Sequence, residues 1–570
     1  MTIARVALPI ATHSTFDYWV PEGLPVARGT MVVARLARRT LAGVVVDVRS
    51  DTDVERASLL PLDEVVALPP LPDDVLATCE FVADYYRAPL GEATALAMPP
   101  LGKRTHRALS ANEDEARAPS TTRNAAQRSA VDEIVAAHAT FEAFLLQGVT
   151  GSGKTDVYLG AAARAIEAGG QVLVLVPEIN LTPQFEARVR NALPERKTVT
   201  LHSGLADGIR RAHWLAAAQG DADLVLGTRL AVFCALPRLA LVIVDEEHDA
   251  SYKQQDGVRY HARDVAIWRA RVRKVPIVLG SATPSLESYA QMAARRYHRL
   301  MLPDRADPRA ALPKVVLVPT RDARAHDGLA GPLWDALADG LARGEQSLVF
   351  VNRRGFAPSL KCASCSWEAA CSRCSARLTL HREPPALRCH HCGHHERVPA
   401  ACPSCGNVDL LPQGFGTQRL ARALADAFPG ARIARIDRDT TRTRGAFSEV
   451  RARIERGEVD VMIGTQMLAK GHDFPRLTRV GVVGADNALY SADFRATERM
   501  LALLTQVAGR AGRAGLPGEV IVQTDFPSHP VYVALTAADY DGFARALLDE
   551  RRAAGLPPAT HAALLTAEAH

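Results

Sequence analysis

The stretch Gly148 to Thr155 reads GVTGSGKT and carries the residue types that bind a nucleoside triphosphate. It matches G-x-x-x-x-G-K-[ST] at every fixed position. In such a loop the backbone N–H groups surround the phosphates, the lysine reaches the β- and γ-phosphates, and the last hydroxyl binds Mg²⁺. A glycine-rich turn that binds nothing is the alternative. The candidate contacts to ATP and Mg²⁺ are Gly148, Gly151, Ser152, Gly153, Lys154 and Thr155.

Acidic residues follow a strongly apolar run further along the chain. Leu241 to Val244 is followed at once by the sequence DEEH, which begins at Asp245. One carboxylate at such a strand end can hold Mg²⁺ through water, and the next, Glu246, can orient an attacking water. Acids that merely end a strand are the alternative. The small hydroxyls of GSATP (280–284) end the next strand and could sense the nucleotide state.

Three further groups are candidate nucleotide contacts. Arg510 and Arg513 in QVAGRAGR are predicted to share one helix face and to act as arginine fingers across a cleft between two lobes, a solvated basic helix being the alternative. Gly471 and Asp473 lie in GTQMLAKGHDFP (464–475), after the strand Val459 to Ile463. Gln127, just before the P-loop, is expected to read adenine as in many helicases, the alternative being a solvated glutamine at a helix start.

The elements that must position these residues are short apolar runs separated by helical stretches. Buried parallel strands have this character, and the loops at their carboxyl ends hold the chemistry. We predict an α/β fold of two RecA-like doubly wound lobes, preceded by a small β-rich domain over the first 50 or so residues. The runs are Phe144 to Leu146, Val172 to Val176, Leu224 to Leu226, Leu241 to Val244, Ile277 to Leu279, Leu348 to Val351 and Val459 to Ile463.

Four C-x-x-C pairs lie between residues 362 and 405. Paired cysteines in a cytosolic chain are more often metal ligands than disulfides, and four thiolates close a zinc site to water. We predict two structural Zn²⁺ ions, with redox chemistry or an Fe–S cluster as alternatives, and we expect His390, His391, His394 and His395 to be solvated. The ligands are Cys362, Cys365, Cys371, Cys374, Cys389, Cys392, Cys402 and Cys405.

Spacing predicts how the cysteine pairs combine. Zinc ribbons usually separate their pairs by about 15 to 20 residues. The gap 375–388 between the second and third pairs fits this best, whereas 366–370 and 393–401 are too short. A nested arrangement follows, with the inner pairs on one ion and the outer pairs on the other. It would let the insertion leave and re-enter the second lobe at neighbouring points, as a duplex-splitting pin or as a docking surface.

Length and composition predict several domains in a cytoplasmic protein. The chain has 570 residues and a formal net charge of +5, and it has neither a long apolar run nor an export leader. Two zinc ions on eight thiolates would lower that charge to about +1, so any nucleic-acid surface must be local. The predicted segments are an N-terminal domain (1–102), a linker (103–123), lobe 1 (124–310), lobe 2 (311–360 and 413–545), the zinc insertion (361–412) and the start of a further domain (546–570).

These motifs are those of superfamily 2 helicases, and seven segments narrow the similarity. Together they resemble the family of primosomal protein N′, or PriA, the bacterial replication-restart helicases, over the whole chain. The segments are PEINLTPQ (177–184), GTRLAVF (227–233), DEEHDASYKQQDGVRYHARD (245–264), NRRGFAPSL (352–360), DRDTT (437–441), GTQMLAKGHDFP (464–475) and SADFRATER (491–499).

The resemblance implies DNA contacts in two places. An aromatic-rich loop that couples DNA contact to ATP hydrolysis would be 251–263, because aromatic faces stack on bases and cations follow phosphates. The N-terminal domain would hold the 3′ end of a nascent strand at Phe16 and Asp17, where a strand with Phe16 in its core is the alternative. The candidate residues of the loop are Tyr252, Lys253, Tyr260 and Arg263.

Three departures from the family pattern stand out. Only the linker occupies the place where many relatives carry a winged-helix domain. A pocket glycine of some relatives is Ala37 here, and an acid after the G-x-G-T turn is Gln418. The chain stops at His570, where relatives continue, so we expect a truncated or degenerate end.

The resemblance implies an ATP-dependent helicase that moves 3′ to 5′ on single-stranded DNA, recognises stalled or abandoned forks and promotes primosome assembly and replication restart. Its partners would be forked and single-stranded DNA, single-strand-binding protein, and the replicative helicase with its loader. A superfamily 2 translocase on another nucleic acid such as RNA is one rival. A fork-binding scaffold with a vestigial ATPase is the other.

Overall fold

A computed structural model gives the architecture. The described residues are 1–101, 123–177, 183–307, 309, 311–320, 328–352, 359–362, 364–365, 367–374, 377–382, 385–389, 392–413, 417–437, 440, 446–465, 474, 476–491, 493–512 and 516–564. Linker residues 103–122, the candidates Gly471, Asp473 and Arg513, and the imidazoles of His390 and His391 lie outside them. Among the described residues there is no helix whose length and hydropathy would suffice to span a lipid bilayer.

The chain forms two compact units. The first contains Met1–Gly148, Gly153–Pro284 and Ser288–Pro303, and the second contains Val149–Ser152, Ser285–Glu287 and Asp304–His570. The first therefore unites the N-terminal domain with most of lobe 1. The second holds lobe 2 and the cysteine-rich insertion.

The N-terminal domain is built on an antiparallel sheet, as its alternating pattern predicts. The strand order is β2-β1-β4-β3-β5. At the hairpin between β3 and β4, Ala37 has φ +53°, a left-handed conformation that favours glycine. The strands are β1 (Ile3–Ala7), β2 (Phe16–Trp19), β3 (Met31–Leu36), β4 (Arg39–Arg49) and β5 (Glu64–Val65).

Helices α1 (Asp73–Tyr85) and α2 (Leu90–Ala95) join this domain to lobe 1. Leu76, Cys79 and Val82 of α1 belong to the same apolar cluster as residues of the lobe 1 sheet. The indole of Trp214 donates to the carbonyl of Ala97 at 3.0 Å. The N-terminal domain therefore shares a hydrophobic core with lobe 1.

Lobe 1 is a seven-stranded parallel sheet in the order β12-β6-β11-β10-β7-β9-β8. Alternate strand residues enter two separate apolar clusters: Leu173 lies in one, and Val172 and Val174 in the other. Both faces of the sheet are thus covered, which confirms the predicted doubly wound fold. The strands are β6 (Ala143–Gly148), β7 (Gln171–Leu175), β8 (Thr198–Leu201), β9 (Leu224–Gly227), β10 (Leu239–Asp245), β11 (Ile277–Ser281) and β12 (His298–Leu302).

Helices connect the strands of lobe 1. They are α3 (Ala125–Ala136), α4 (Lys154–Glu167), α5 (Pro183–Ala192), α6 (Asp207–Ala218), α7 (Ala262–Arg273) and α8 (Leu286–Ala293). Short 3₁₀ helices span Arg56–Ser58, Arg229–Phe233, Ala250–Tyr252 and, in lobe 2, Ala485–Tyr490.

Lobe 2 is a six-stranded parallel sheet in the order β13-β23-β22-β14-β21-β20. Its strands are β13 (Lys314–Val318), β14 (Gln346–Val351), β20 (Ile433–Ile436), β21 (Val461–Gly464), β22 (Leu477–Val483) and β23 (Glu519–Gln523). Its helices are α9 (Gly331–Ala342), α10 (Thr417–Ala427), α11 (Ala446–Glu455), α12 (Ala496–Ala508), α13 (Pro530–Ala537) and α14 (Tyr540–Ala553).

The domain boundary predicted at 546 lies inside α14. Arg551 of this helix is buried and donates to Glu498 of α12 at 2.7 Å. Because a buried guanidinium needs such a partner, this contact anchors the helix to α12 of lobe 2.

The insertion is closed at its base by antiparallel pairing of β15 (Ser359–Cys362) with β19 (Leu410–Gln413). Ser359 lies opposite Gln413, so the chain leaves and re-enters lobe 2 at neighbouring points, as predicted. A second antiparallel sheet contains β16 (Thr379–Arg382), β17 (Pro385–Arg388) and β18 (His395–Glu396).

Candidate nucleotide, DNA and zinc sites

The P-loop lies between β6 and α4, in the predicted strand–loop–helix context. Gly151 and Gly153 have φ of +83° and +81°, which only glycine adopts without strain. The ammonium of Lys154 is buried and donates to the carbonyl of Gly148 at 3.0 Å. Thr155 lies in the first turn of α4, where helix N–H groups favour an anion. A buried cation, left-handed glycines and a helix N-terminus together fit a polyphosphate.

Asp245 is the last residue of β10, and its carboxylate is buried. The hydroxyl of Tyr158 donates to its Oδ1 at 3.0 Å. Burial raises the pKa of Asp245 to about 7, the charge of Glu246 adds to this effect, and Lys154 opposes it. A buried carboxylate whose charge is disfavoured is suited to a divalent cation, which would compensate that charge. The donor set therefore fits Mg²⁺.

Glu246 has an unusual backbone conformation, with φ +46°. The following N–H, that of Glu247, donates to Gly280 of β11 at 3.0 Å, and the N–H of Asp249 donates to Glu246 at 2.8 Å. Left-handed non-glycine residues cost about 1 to 3 kcal/mol and cluster at functional sites. The hydrolytic candidate is thus held in a conformation that the surrounding hydrogen bonds must impose.

The DEEH and GSATP motifs contact each other directly. His248 Nδ1 lies 2.7 Å from Ser281 Oγ, which also accepts from the N–H of Thr283 at 2.9 Å. His248 is also 3.6 Å from the Glu246 carboxylate. The imidazole of His248 therefore links the Ser281 hydroxyl of GSATP to the carboxylate of Glu246, the candidate hydrolytic glutamate.

Gln127 lies in the first turn of α3, whose N-cap is Asn124. It forms a capping box with Asn124, in which the two reciprocal hydrogen bonds measure 2.8 and 2.9 Å. The side chain is 3% exposed, so the alternative of a solvated glutamine is wrong. Its role in reading adenine stays a prediction.

Arg510 lies outside a helix, which corrects the prediction that it occupies a helix face. Helix α12 ends at Ala508, and Gly509 and Arg510 form the turn that follows. Glycine lowers helix propensity by about 1 kcal/mol, and two glycines occur within this short stretch, which explains the early end.

The aromatic loop after DEEH is largely buried, which corrects the expectation that its rings stack on bases. Tyr252 and Tyr260 are each 1% exposed. The Tyr252 hydroxyl lies 2.7 Å from the carbonyl oxygen of Asp245 and 3.0 Å from that of Leu175. The ring of Tyr260 packs edge-on against Phe233 at 5.0 Å. Burying large rings stabilises this core and leaves no open face for a base.

The cations of the same loop differ from each other. Arg263 is buried between Glu247 at 3.0 Å and Asp264 at 2.8 Å, so the expected phosphate contact by its side chain is wrong. Lys253 is partly exposed and lies 5.0 Å from the centre of the Tyr86 ring of the N-terminal domain. Lys253 therefore stays the DNA-contact candidate of this loop.

Phe16 and Asp17 lie on β2, with Phe16 half-buried. Asp17 accepts from Arg5 Nε at 2.9 Å and from the Thr52 hydroxyl at 2.7 Å. Although burial opposes ionisation, these hydrogen bonds lower the pKa of Asp17. Asp17 is therefore an ionised acceptor, whereas Phe16, the preceding residue of the strand, packs against the apolar cluster of the other face of the sheet.

The eight cysteines form two groups, and the grouping confirms the nested prediction. Within each group the ligand atoms lie within 4.8 Å of one another. Backbone N–H groups donate to the sulfurs of Cys362, Cys371 and Cys402 at 3.3 to 3.4 Å. Thiolates held in this way fit a closed zinc site. The groups are Cys362, Cys365, Cys402 and Cys405, and Cys371, Cys374, Cys389 and Cys392.

His395 is exposed, as expected, whereas the side chain of His394 is 15% exposed, which corrects the expectation that it is solvated. His394 Nε2 lies 2.8 Å from Glu396 and 3.1 Å from Ser372 Oγ. The four-cysteine groups are complete without it, as expected.

Sequence reasoning missed the residues that hold these motifs in place. Tyr158 lies outside the motifs, and the motifs themselves give no sign that Gly280 adjoins Tyr158 or that Arg263 pairs with Glu247. Their importance follows only from which strands and helices lie side by side.

Comparison with known proteins agrees with this arrangement. Family models match residues 5–99 (3′DNA-binding domain), 124–292 (DEAD/DEAH box helicase) and 371–397 (PriA DNA helicase Cys-rich region domain). The replication restart protein PriA of Haemophilus influenzae is 37% identical over 100% of this chain and 88% of its own length. The chain belongs to the PriA family of replication restart proteins.

This chain covers a smaller share of the length of other relatives. The PriA protein of Bacillus subtilis is 42% identical over 74% of this chain and 53% of that protein. Among solved structures, RecG bound to a three-way DNA junction aligns with 75% of this chain and 46% of its own chain, with a TM-score of 0.44 and 18% identity. Family membership and the helicase domain make the chain an ATP-hydrolysing DNA helicase with a zinc-binding region.

Proposed function

We propose that this helicase moves 3′ to 5′ on single-stranded DNA, recognises stalled or abandoned replication forks and promotes replication restart. The main support is the shared core between the ATP-binding lobe and the domain that matches the 3′DNA-binding model. A module suited to a strand end and a module suited to ATP thus belong to one compact unit. By family resemblance, the partners are single-strand-binding protein and the replicative helicase with its loader.

Four residues carry hydrolysis in this proposal. The Lys154 ammonium compensates the charge of the β- and γ-phosphates. Thr155 and Asp245 are the residues that would hold Mg²⁺, which supplies further charge compensation when bound. Glu246 orients the attacking water. The backbone hydrogen bonds at Glu246 and Glu247 fix the main-chain position from which its side chain extends.

Other groups complete the nucleotide site. Arg510 and Arg513 stabilise the charge of the transition state, because guanidinium groups bind phosphate oxygens through a planar fork. Gln127 contacts adenine, and Gly471 with Asp473 supplies contacts from lobe 2. These assignments rest on the motifs in which the residues occur.

The N-terminal domain would recognise the end of a nascent strand. The ionised carboxylate of Asp17 is a hydrogen-bond acceptor, which suits a terminal 3′ hydroxyl. The half-buried ring of Phe16 would stack on the terminal base. Lys253, close to Tyr86 at the junction of this domain with lobe 1, would contact phosphate.

Unwinding assays test the proposal. Duplexes with a 3′ or a 5′ single-stranded tail report direction, and only the substrate that permits 3′ to 5′ movement should be unwound, and only with ATP. Forks with and without a nascent 3′ end at the branch report recognition. Asp17→Ala should remove the preference for the nascent end, whereas Asp47→Ala, which changes a more exposed carboxylate, should keep it.

Several outcomes would contradict it. Movement with the opposite polarity would refute the directional assignment. Equal preference for both forks in the unaltered chain would refute end recognition. ATPase activity stimulated by RNA rather than DNA would favour another nucleic acid, and fork binding without any ATPase would favour a scaffold.

A further inference from the structure

The metal-binding carboxylate proposed above is held by a side chain that belongs to no helicase motif. Tyr158 lies on α4 one helical turn after Lys154 and is 2% exposed. Its hydroxyl donates to Asp245 Oδ1 at 3.0 Å. The helix that begins at the P-loop therefore also contacts the acidic residue at the end of β10.

A glycine on the neighbouring strand makes room for that hydroxyl. Gly280 of β11 is in register with Asp245 of β10 on one side and with Leu146 of β6 on the other. A Cβ at this position would lie 1.5 Å from the Tyr158 hydroxyl and 2.6 Å from its ring carbon Cζ. Any side chain at position 280 would therefore displace the tyrosine from Asp245.

The contact is of the kind that fixes a ligand's orientation. The Tyr158 phenol carries a proton and faces a carboxylate oxygen, so it is the donor of this hydrogen bond. One hydrogen bond to Oδ1 restricts rotation of the carboxylate, and Tyr252 at 2.7 Å restrains the main-chain carbonyl of the same residue. Partners of this type around a metal ligand typically govern metal affinity.

We infer that Tyr158 positions the Asp245 carboxylate for the divalent cation, and that Gly280 is present to admit the Tyr158 hydroxyl. The inference rests on the proposed metal role of Asp245. Tyr158 is a positioning residue rather than a catalytic one, because it contacts the ligand and not the nucleotide.

The test compares metal binding with nucleotide binding in the full chain. Mn²⁺ replaces Mg²⁺, and its dissociation constant is measured by electron paramagnetic resonance in the presence of ADP. ADP affinity is measured separately with EDTA present. Tyr158→Phe should weaken Mn²⁺ binding about 10-fold or more, as loss of a partner to a metal ligand does. ADP affinity in EDTA should change by less than about 2-fold, because the hydroxyl that is removed donates to Asp245 and the metal is absent from this measurement.

A matched control separates orientation from loss of a buried hydroxyl. Tyr18 is also buried and donates to a carbonyl, that of Arg35, at 2.9 Å. Tyr18→Phe should leave Mn²⁺ affinity unchanged. Gly280→Ala should weaken Mn²⁺ binding as Tyr158→Phe does, and adding Gly280→Ala to Tyr158→Phe should cost less than Gly280→Ala alone.

Each result decides a different point. Unchanged Mn²⁺ affinity in Tyr158→Phe overturns the inference. If Mn²⁺ affinity and the ADP affinity measured in EDTA fall equally, the role of Tyr158 is structural, and the inference is overturned as well. If Asp245→Ala also leaves Mn²⁺ affinity unchanged, the proposed metal role of Asp245 has failed instead. Should Gly280→Ala not fold, Tyr158→Phe and its control still decide the matter.

Discussion

The shared core of the N-terminal domain and lobe 1 contains a buried ion pair whose removal should be costly. Arg269 of α7 and Asp74 of α1 are 3.0 Å apart, and their side chains are 0% and 4% exposed. Arg269 also donates to the carbonyl of Val232 at 2.8 Å. Replacing one partner leaves the other charge buried without compensation, which typically costs about 3 to 5 kcal/mol.

Asp74→Ala should therefore destabilise the first unit by about 3 to 5 kcal/mol. Asp73→Ala is the matched control: it removes the neighbouring carboxylate of the same helix, whose pair with Arg28 at 3.3 Å is exposed, and such pairs contribute about 0 to 1 kcal/mol. A double replacement, Asp74→Leu with Arg269→Met, should recover much of the loss because no charge then remains buried.

Tryptophan fluorescence during urea unfolding measures the effect. Trp268 stacks on Phe81 of α1 with ring centroids 4.6 Å apart, and Trp214 bonds to Ala97, so both indoles report this interface. If Asp74→Ala costs no more than Asp73→Ala, the pair is hydrated in solution and the reasoning fails. A double variant no more stable than Asp74→Ala would contradict the assignment of the cost to uncompensated charge.

Three further changes test the sites. Lys154→Ala should abolish DNA-stimulated ATP hydrolysis while fork affinity in nucleotide-free buffer is kept, and an equal loss of affinity would contradict separate phosphate and DNA surfaces. Tyr252→Ala should lower basal ATPase as well as its stimulation, because this ring is buried beside the Asp245 main chain; unchanged basal activity would contradict that. Metal analysis should find about one zinc in Cys371→Ser with Cys389→Ser and none in Cys362→Ser with Cys389→Ser, since the second pair damages both groups; one retained zinc there would refute nesting.

The parallel strands and the zinc groups could be predicted because their signals are local. An apolar run such as Leu241 to Val244 is required wherever a strand is covered on both faces, and spacing alone limits how cysteine pairs fold back on each other. The apolar run and the cysteine spacing can both be recognised without knowing which elements lie next to them in the fold.

The aromatic loop could not be predicted in the same way. A tyrosine in a sequence does not show whether its ring is exposed to a base or packed in a core. The rings of Tyr252 and Tyr260 are packed in the core. Arg263 likewise reads as a free cation in the sequence, because its partner Glu247 lies on a different element. The role of Gly280 depends on Tyr158, which is brought to it only by the sheet order.

The nested cysteine groups impose an order on how the insertion is completed during synthesis. Residues emerge from the N-terminal end first, so the inner group, ending at Cys392, is complete before Cys402 and Cys405 have been made. At about 5 to 20 residues per second, Cys362 and Cys365 then wait about one to three seconds for their own partners. During that interval an inner group that already holds its metal keeps its four sulfurs from pairing with the waiting thiols, so early zinc capture protects the register of the later site.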